Sequence, residues 1–339
     1  MGAGSLRGLA RSNPALAQQL WFDPPLLYFR SLFFSSLEFS AVIKVSSRRS
    51  LAFLGSAWAL YLAVGMPQAH AQAQQPLRLG IGLFQPDREK NDATYRPLAE
   101  YLQAQLKRPV QLRTVDTWEG LAKSLAAGET DMALMGPWGY VLANHEAGAQ
   151  AIATILYEDK PEYFAIMVTN PASGVHRIED MKGKTFAFGD KGSTSGYLIP
   201  LHEFQKRGIN PDAYFSRVVY TSHQAIETQV ARGEIDAGAD YNRNRNAMID
   251  QGLIKASESR IIWTSAALPN DAFAVSAALS KDRVFVEKLR AALAGVGPAL
   301  KNTPALLPAR YTGFVAKDNA YYQPIRDAGL ATGKLLPRR

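Results

Sequence analysis

The residues best suited to chemistry in this sequence form a hydroxyl-rich turn at 192–196, Gly-Ser-Thr-Ser-Gly. An apolar stretch at 184–188 precedes the turn and predicts a short buried strand, and residues 195–207 predict a helix after it. The first turn of a helix leaves backbone N–H groups unpaired, and Ser or Thr hydroxyls there either cap the helix or bind an anion. From the turn alone, an anion-binding site and an ordinary capped helix are about equally favoured.

The same turn is similar to two catalytic motifs but matches neither of them. A phosphate-binding P-loop has Lys directly after its last Gly, followed by Ser or Thr, and residues 192–196 do not follow that order. A hydrolase nucleophile elbow has Ser at the centre of a Gly-x-Ser-x-Gly pattern, and Thr194 occupies that place here. The turn therefore favours holding an anion over cleaving a substrate.

The composition of the 339 residues excludes several kinds of site. The sequence has no Cys, which rules out disulfides, thiolate metal ligands and a lipid anchor on an N-terminal Cys. Its five His show no spacing typical of metal ligands, so we expect neither a metal nor a cofactor. The net charge of +8 is scattered and not gathered into basic stripes with aromatic residues, so we expect no nucleic-acid binding.

Residues 45–73 have the three parts of a secretory signal peptide. A Ser-Arg-Arg segment precedes an uncharged apolar run at 51–66, and an Ala-x-Ala cleavage site follows at 69–71. A membrane anchor is the less favoured alternative, because the run is short and no second basic flank follows it. We therefore expect a periplasmic protein that is not embedded in the membrane, exported by the Sec or the twin-arginine route.

The segment before the signal peptide is unusual, because a signal peptide normally opens a chain. We hypothesise that translation starts near Val45, which a GUG codon would encode as Met. Cleavage is expected after Ala71 or Ala73, so residues 1–73 are predicted to be removed and are left out of the fold prediction.

From residue 77 onward, apolar stretches of strand length alternate with stretches of helical periodicity. The predicted strands lie at 77–84, 110–115, 130–135, 151–157, 163–168, 185–188, 217–220, 235–239, 260–263 and 272–276. The predicted helices lie at 95–106, 118–127, 140–147, 195–207, 223–231 and 281–293. This alternation predicts α/β structure with parallel sheets.

The strand and helix pattern occurs twice along the chain, which predicts two α/β lobes. We place lobe 1 at 74–168 and 273–339 and lobe 2 at 169–272, with the chain crossing between them near Val168 and Ala274. Ligands of open α/β sheets bind outside the carboxyl ends of the strands, so the hydroxyl-rich turn is expected at a cleft between the lobes. We expect a monomer.

Several stretches together resemble one known family. They are Asp-Met-Ala-Leu-Met-Gly-Pro at 131–137, Tyr163, Gly-Ser-Thr-Ser-Gly-Tyr at 192–197, Ser-His at 222–223 and Pro-Asn-Asp at 269–271. From about residue 77 to residue 311 the chain resembles the phosphonate-binding proteins, which are periplasmic subunits of ABC importers for phosphonate, phosphite and related oxyanions. The resemblance implies a type II periplasmic binding protein, with two α/β lobes joined by two hinge strands and a ligand cleft between them.

The resemblance also implies a set of ligand-binding residues on the turn and around it. Ser193, Thr194 and Ser195 match the family turn that holds the phosphonate group with hydroxyl and backbone donors. His223 matches a family His that donates to another oxygen, although a surface His capping a helix is the alternative. Tyr163 matches a family Tyr whose hydroxyl reaches the phosphonate.

Other positions are matched less directly. Trp118 stands near a family Tyr, and a core aromatic residue is an equally good interpretation. Asp271 matches a family Asp near the hinge. Aminophosphonate binders of the family carry a Glu that meets the ligand amine, and Arg243 falls near that position, with Asp240 as the possible replacement. Arg243 thus favours a small oxyanion without an amine, such as phosphite, phosphate or methylphosphonate.

Three functions remain open from the sequence. The leading one is capture of a small phosphorus oxyanion for the permease of an ABC importer. The second keeps the binding role but changes the partner to the ectodomain of a sensor histidine kinase. The third is a hydrolase using Ser195, His223 and Asp271, and the missing nucleophile elbow counts against it, so we expect a binding protein and not an enzyme.

Overall fold

The structure is a computed structural model that describes residues 75–337, with the exception of Leu83 and Pro86. The predicted signal peptide at 45–73 and the segment before it lie outside the described residues. In the described part of the chain, every helix is too short or too polar to span a membrane.

Strands and helices alternate through most of the described chain, as the sequence pattern predicts. The strands are β1 (Leu77–Gly82), β2 (Val110–Val115), β3 (Met132–Met135), β4 (Gln150–Tyr157), β5 (Glu162–Tyr163), β6 (Ala165–Thr169), β7 (Thr185–Phe188), β8 (Arg217–Tyr220), β9 (Ala237–Tyr241), β10 (Arg260–Thr264), β11 (Leu268–Pro269), β12 (Ala272–Val275) and β13 (Tyr311–Val315). The α-helices are α1 (Arg88–Leu106), α2 (Trp118–Ala126), α3 (Pro137–Ala147), α4 (Ile199–Lys206), α5 (Pro211–Tyr214), α6 (His223–Ala231), α7 (Asn242–Asp250), α8 (Arg283–Ala294), α9 (Val296–Leu300) and α10 (Gln323–Ala331).

Two large sheets form two lobes, and the strand order of the five-stranded sheet recurs within the six-stranded one. The first lobe has the order β13-β4-β12-β3-β1-β2, and the second has β10-β6-β9-β7-β8. In the first, β2, β1, β3 and β4 run parallel, while β12 lies antiparallel between β3 and β4. In the second, β8, β7, β9 and β10 run parallel, while β6 lies antiparallel between β9 and β10. The sheets are therefore mixed, and each one contains a strand that enters from the other lobe.

The chain crosses between the lobes at a small antiparallel ribbon. Strands β5 and β11 form it, with Leu268 opposite Tyr163. The predicted crossing points, Val168 and Ala274, lie inside β6 and β12, which are hydrogen-bonded to strands on both sides. The crossing segments thus lie before these strands, because a strand paired on both edges is held by its sheet.

The core of the first lobe follows the helical periodicity predicted for α1. The apolar positions of that spacing are all buried: Tyr95, Leu98, Ala99, Leu102 and Leu106. They pack against the alternating apolar side chains of β1 and against Leu289 and Leu293 of α8. Full burial of a Leu side chain contributes about 1.5–3 kcal/mol, so this layer holds the helices on the sheet.

Several element boundaries differ from the prediction for local reasons. Helix α1 begins before residue 95, because Asp87 caps it by accepting a hydrogen bond from the backbone N–H of Lys90 at 2.8 Å. Helix α3 begins at Pro137, and Pro is well suited to a first helical position. The sequence analysis missed α7, whose Asn-Arg-Asn-Arg-Asn start has no apolar periodicity, and it also missed β13 and α10.

Candidate functional site

The hydroxyl-rich turn opens a short π-helix, Thr194–Leu198, that continues into α4. Ser193 caps this helix, and its Oγ accepts a hydrogen bond from the backbone N–H of Gly196 at 3.0 Å. The backbone N–H of Gly189 donates to the carbonyl of Gly196 at 2.8 Å and closes the turn. The helix predicted at 195–207 therefore starts one residue earlier and in a wider form, which is frequent at functional sites.

Two glycines of the turn sit where other atoms leave no room for a side chain. A Cβ at Gly192 would lie 2.4 Å from the backbone nitrogen of Glu119, at the start of α2 in the first lobe. A Cβ at Gly196 would lie 2.8 Å from Cε1 of His223. These glycines allow the turn to contact α2 on one side and the His223 ring on the other.

The three hydroxyls of the turn have different partners, and the hydroxyl of Ser193 is the one that caps the helix. Thr194 Oγ1 accepts a hydrogen bond from the backbone N–H of Trp138 at 2.8 Å, at the start of α3 in the first lobe. Burial and then Asp271 raise the pKa of Tyr163, while hydrogen bonds from the hydroxyls of Thr194 and Ser195 partly oppose the rise. Thr194 and Ser195 thus face the space between the lobes.

His223 is the first residue of α6, and its ring lies in the cleft. It is only 8% exposed, and the hydroxyl of Ser222 caps the helix, so the alternative of a surface capping His is wrong. Its Nε2 lies 3.0 Å from Ser193 Oγ, and its Nδ1 lies 2.7 Å from Asp240 Oδ1. Burial lowers the pKa of His223 to about 4. The neutral ring carries one N–H, and Ser193 and Asp240 face its two nitrogens.

A pair of buried carboxyl groups lies behind His223. Asp240 has no exposed surface and accepts a hydrogen bond from Asn244 Nδ2 at 2.9 Å. Its carboxyl group is also hydrogen-bonded to that of Glu227, which accepts a hydrogen bond from Ser259 Oγ at 2.8 Å. Burial and the charge of Asp240 raise the pKa of Glu227 to about 9, and burial raises the pKa of Asp240 to about 7. Glu227 therefore carries the proton that the carboxyl pair shares at neutral pH.

Arg243 brings a buried cation into the cleft from the first turn of α7. Its side chain is 5% exposed, and its Nε and Nη1 have no hydrogen-bond partner. The guanidinium carbon lies among four aromatic rings, with distances to their centroids of 4.8 Å for Tyr163, 5.2 Å for Tyr157, 5.5 Å for Tyr311 and 5.7 Å for Tyr241. We call these four rings the tyrosine cage.

Asp271 is the charged partner of Arg243. Its Oδ2 lies 3.7 Å from Arg243 Nη2, and its backbone carbonyl accepts hydrogen bonds from Ile155 and Thr154 of the first lobe. Burial raises the pKa of Asp271, and the charge of Arg243 opposes this rise. Burial alone would lower the pKa of Arg243, but Tyr311 and Asp271 outweigh it and raise the pKa. Two opposite charges are thus buried side by side.

These groups enclose a cavity of about 30 Å³ between the lobes. Its lining is Phe84, Trp118, Gly136, Tyr163, Ser193, Thr194, Ser195, His223, Tyr241, Arg243 and Asp271. A larger cavity of about 290 Å³ lies on the other side of Arg243 and Tyr241, which line both spaces. The inner cavity has room for a few water-sized groups, so it suits a compact solute.

The structure brings the predicted ligand-binding residues together at the inner cavity, except for Asp240. Ser193, Thr194, Ser195, His223, Tyr163, Asp271 and Trp118 all line the inner cavity. Asp240 does not line it and instead holds the His223 ring from behind. Trp118 packs edge-on against Phe84 at 4.8 Å between ring centroids and is partly exposed, so it combines cavity lining with aromatic packing.

The sequence analysis gave no role to Phe84, Gly136, Tyr241 and Glu227. Tyr241 stands between Asp240 and Arg243 in the sequence, and this proximity to two candidate residues was an available signal. Glu227 lies four residues after His223, on the same face of α6, and an acidic residue one turn along from a site His is a weaker signal.

The three residues of the predicted hydrolase do not form a hydrogen-bonded chain. His223 contacts Ser193 and Asp240 instead of Ser195 and Asp271. The reason is the direction of the turn, because the capping residue Ser193 faces the start of α6 while the hydroxyl of Ser195 faces Tyr163. Within the described residues, moreover, no three His, Cys, Asp or Glu side chains are grouped as metal ligands.

The comparison with protein families agrees with this arrangement. The sequence model of a family described as "ABC transporter, phosphonate, periplasmic substrate-binding protein" matches residues 84–322. The chain belongs to this family. The resemblance stated from the sequence is therefore confirmed, and periplasmic location is a property of the family.

Two curated relatives are about a quarter identical to this chain over the aligned residues. The "Phosphate-import protein PhnD" of Mycolicibacterium smegmatis is 26% identical over 210 residues, which cover 58% of this chain and 65% of that protein. The "Phosphonates-binding periplasmic protein" of Escherichia coli is 25% identical over 234 residues, which cover 66% and 69%. The chain thus spans about two thirds of the length of these relatives.

Two solved structures have a similar fold. A binding protein component of an ABC phosphonate transporter from Pseudomonas aeruginosa has a TM-score of 0.70 at 24% identity, covering 77% of this chain and 87% of its own. PhnD1 from Prochlorococcus marinus, in complex with methylphosphonate, has a TM-score of 0.68 at 18% identity, covering 76% and 98%. The predicted fold class, a type II periplasmic binding protein with two α/β lobes, is confirmed.

Proposed function

We propose that this protein captures a small phosphorus oxyanion in the periplasm and delivers it to the permease of an ABC importer. The observation that carries the proposal is the set of donors around the inner cavity. Thr194 and Ser195 have hydroxyls there that capping does not require, and two nitrogens of Arg243, Nε and Nη1, have no hydrogen-bond partner. Donors fixed in a buried site bind an anion strongly because charge-assisted hydrogen bonds are shorter and stronger than neutral ones.

The carboxyl groups near the cavity are compatible with an anion. The charge of Asp271 is balanced by Arg243, and Asp240 is held by Asn244, the protonated Glu227 and His223. No unbalanced carboxylate therefore faces the bound group among the residues that line the inner cavity. In the proposal, Ser193 and His223 form one donor unit, Tyr163 adds a hydroxyl, and Trp118 covers the ligand from the first lobe.

The relatives support the ligand class and the partner. One is named for phosphate import and another for phosphonates, and a protein of the same fold is in complex with methylphosphonate. A periplasmic binding protein of an ABC transporter requires a permease to receive the ligand, and this chain belongs to that family. Export by a signal peptide at 45–73 completes the proposal. The two predicted lobes remain its proposed domains, with β6 assigned to the second lobe and β12 to the first.

The proposal is tested by a thermal-shift panel followed by calorimetric titration. The panel contains phosphite, phosphate, methylphosphonate, sulfate, arsenate and arsenite. A ligand at 100 times its dissociation constant stabilises the folded state by about 2.7 kcal/mol, which raises the melting temperature measurably. We expect at least one phosphorus oxyanion to bind more tightly than sulfate. If sulfate raises the melting temperature most, or if none of the six compounds raises it, the proposed ligand class is wrong.

A further inference from the structure

The tyrosine cage and Asp271 have the chemistry of a binding site for a positively charged group. Aromatic faces attract cations within about 6 Å of the ring centroid, and proteins use such cages to recognise ammonium ligands. All four rings of the cage lie within that distance of the Arg243 guanidinium, and Asp271 supplies a carboxylate. The cage is thus complete, but the cation inside it belongs to the protein.

We infer that Arg243 is a built-in cation that fills the cation half of this binding site, so that the protein selects phosphorus oxyanions that carry no ammonium group. The inference rests on the proposed function and names the substrate class more narrowly. Phosphite, phosphate and short alkylphosphonates belong to the accepted class, whereas 2-aminoethylphosphonate and phosphocholine are rejected.

The first argument is electrostatic. A ligand ammonium beside the anion site would lie against the guanidinium, and Asp271, the carboxylate that lines the inner cavity, already has Arg243 as its partner. At 5% exposure, little solvent separates these charges, so repulsion between like charges is strong. The same geometry favours an anion, because Nε and Nη1 of Arg243 are buried at the cavity without a partner.

The second argument is steric and independent of charge. Arg243 lines both the inner cavity of about 30 Å³ and the outer cavity of about 290 Å³, so its side chain forms part of the wall between them. A ligand with a long substituent would have to displace that wall. Removal of the side chain beyond Cβ would connect the two cavities and leave the rings and Asp271 without a cation.

The experiment compares wild type with Arg243→Ala by titration with methylphosphonate, ethylphosphonate and 2-aminoethylphosphonate. Ethylphosphonate has nearly the size of the amino compound but no charge on its substituent. We expect wild type to prefer methylphosphonate over the amino compound by at least about tenfold, the usual minimum for a charged contact. In the variant, we expect the amino compound to bind at least about tenfold more tightly than ethylphosphonate. Equal affinity of wild type for methylphosphonate and the amino compound, or an unchanged ratio in the variant, overturns the inference.

A second measurement does not depend on the anion. Choline chloride, which contains no phosphorus, should raise the melting temperature of Arg243→Ala and not that of wild type. If wild type binds none of the phosphorus compounds, the proposed function fails, while choline binding by the variant still supports the cage. If choline stabilises neither protein, the cage is not a cation site and the inference fails whatever the anions do.

Two further variants complete the design. Arg243→Gln removes the charge but keeps an amide that can donate to Asp271, so it replaces Arg243→Ala if the latter shows no cooperative melting. Arg310→Ala is the matched control, because Arg310 also lies 5.2 Å from the Tyr157 ring but is an exposed surface residue paired with Glu158. We expect Arg310→Ala to keep the wild-type order of ligands and to gain no choline binding. A gain of choline binding there would show that any loss of positive charge produces the effect.

Discussion

The two lobes contribute to the inner cavity in opposite ways. The second lobe supplies the polar and charged groups: Ser193, Thr194, Ser195, His223, Tyr241 and Arg243. The first lobe supplies two aromatic rings and a glycine: Phe84, Trp118 and Gly136. Tyr163 and Asp271 lie at the crossing segments between them. In the proposed function, one lobe therefore supplies the donors for the anion, and the other lobe covers it.

This difference suggests an order of events in binding. The second lobe can hold an oxyanion with its own hydroxyls, imidazole and guanidinium, whereas the first lobe has few hydrogen-bond donors at the cavity. The first lobe also contacts the turn through backbone groups, since the N–H groups of Trp138 and Glu119 donate to Thr194 and Asp190. In the proposed function, closure of the lobes would strengthen the hydrogen bonds to the anion by removing water. Substitutions in the second lobe should therefore cost more affinity than those in the first.

The largest effect is expected from replacing Ser193, Thr194 and Ser195 by Ala together. The variant loses the three hydroxyls while the backbone N–H groups remain, and we expect affinity for the identified oxyanion to fall by at least about 3 kcal/mol. The single variants should each cost less, and their costs should not add, because neighbouring donors compensate. Calorimetric titration measures all four proteins.

A helix-cap variant elsewhere serves as the control for the triple variant. Asp282 caps α8 far from the cavity lining, and Asp282→Ala should lower stability by about 1 kcal/mol without changing affinity. If the triple variant binds the oxyanion as tightly as wild type, the turn is only a helix cap and the second lobe does not hold the ligand there.

The next effect is that of His223→Ala. Loss of a hydrogen bond to a charged group costs about 1.5–3 kcal/mol, so affinity should fall by that amount. Stability without ligand should also fall, because Asp240 loses its contact with Nδ1 while fully buried. Titration and thermal melting separate the two effects. Lower stability with unchanged affinity would assign His223 to the support of the second lobe only.

Much of the fold was predictable because its determinants are local. The spacing of apolar residues predicted α1, and the buried stretch at 184–188 predicted β7, since each pattern depends on neighbours in the sequence. Helix α7 was not predictable in this way, because its first half is polar and its place is decided by contacts of Arg243 and Asn244. The antiparallel insertion of β6 and β12 was missed because it depends on pairing between distant segments.

The site was predictable where a short motif carries it. The hydroxyl-rich turn was recognised from residue types and His223 from the family resemblance, and both line the cavity. The tyrosine cage could not be predicted, because its rings come from four separate elements: β4, β5, β9 and β13. The choice of Ser193 over Ser195 as the partner of His223 depends on the direction of a single helix turn, which residue type does not determine.

A pH-dependent effect on stability is expected from Glu227→Gln. The folded protein holds a proton on Glu227 up to a pKa of about 9, against an ordinary value of 4.5. The stabilising contribution of the proton on Glu227 is therefore fully present below pH 4.5 and is lost as the pH rises toward 9. Gln keeps the neutral form, donating to Asp240 and accepting from Ser259, so the variant should lose less stability than wild type between pH 5 and 9.

Urea unfolding at several pH values measures this difference. His223 titrates in the opposite sense, because its pKa is lowered from 6.5 to about 4, but it is common to both proteins and cancels in the comparison. Parallel curves of unfolding free energy against pH would mean that Glu227 is ionised in the folded protein. In that case Glu227 would not supply a proton to its pair with Asp240.

The smallest effect is expected in the first lobe, from Trp118→Leu. The variant loses the edge-on contact with Phe84, a type of pair that contributes about 0.5–1.5 kcal/mol beyond its buried area. Because Trp118 covers the cavity and offers few hydrogen-bond donors, affinity should fall by no more than about 0.5–1.5 kcal/mol. We expect the loss to come mainly from faster ligand release, which stopped-flow fluorescence measures. A loss as large as that of His223→Ala would contradict the unequal division of roles between the lobes.

The inserted strands also impose an order on folding. The second sheet is built from one continuous segment, residues 165–264, so its pairing requires no chain from outside that segment. The first sheet needs β12 between β3 and β4, and Ala274 pairs there with Ala133. Joining such distant segments is slow because a long loop must close first. In the proposed export of the chain, the second sheet is thus able to assemble first, and the first sheet is completed only after β13, at residues 311–315, has followed.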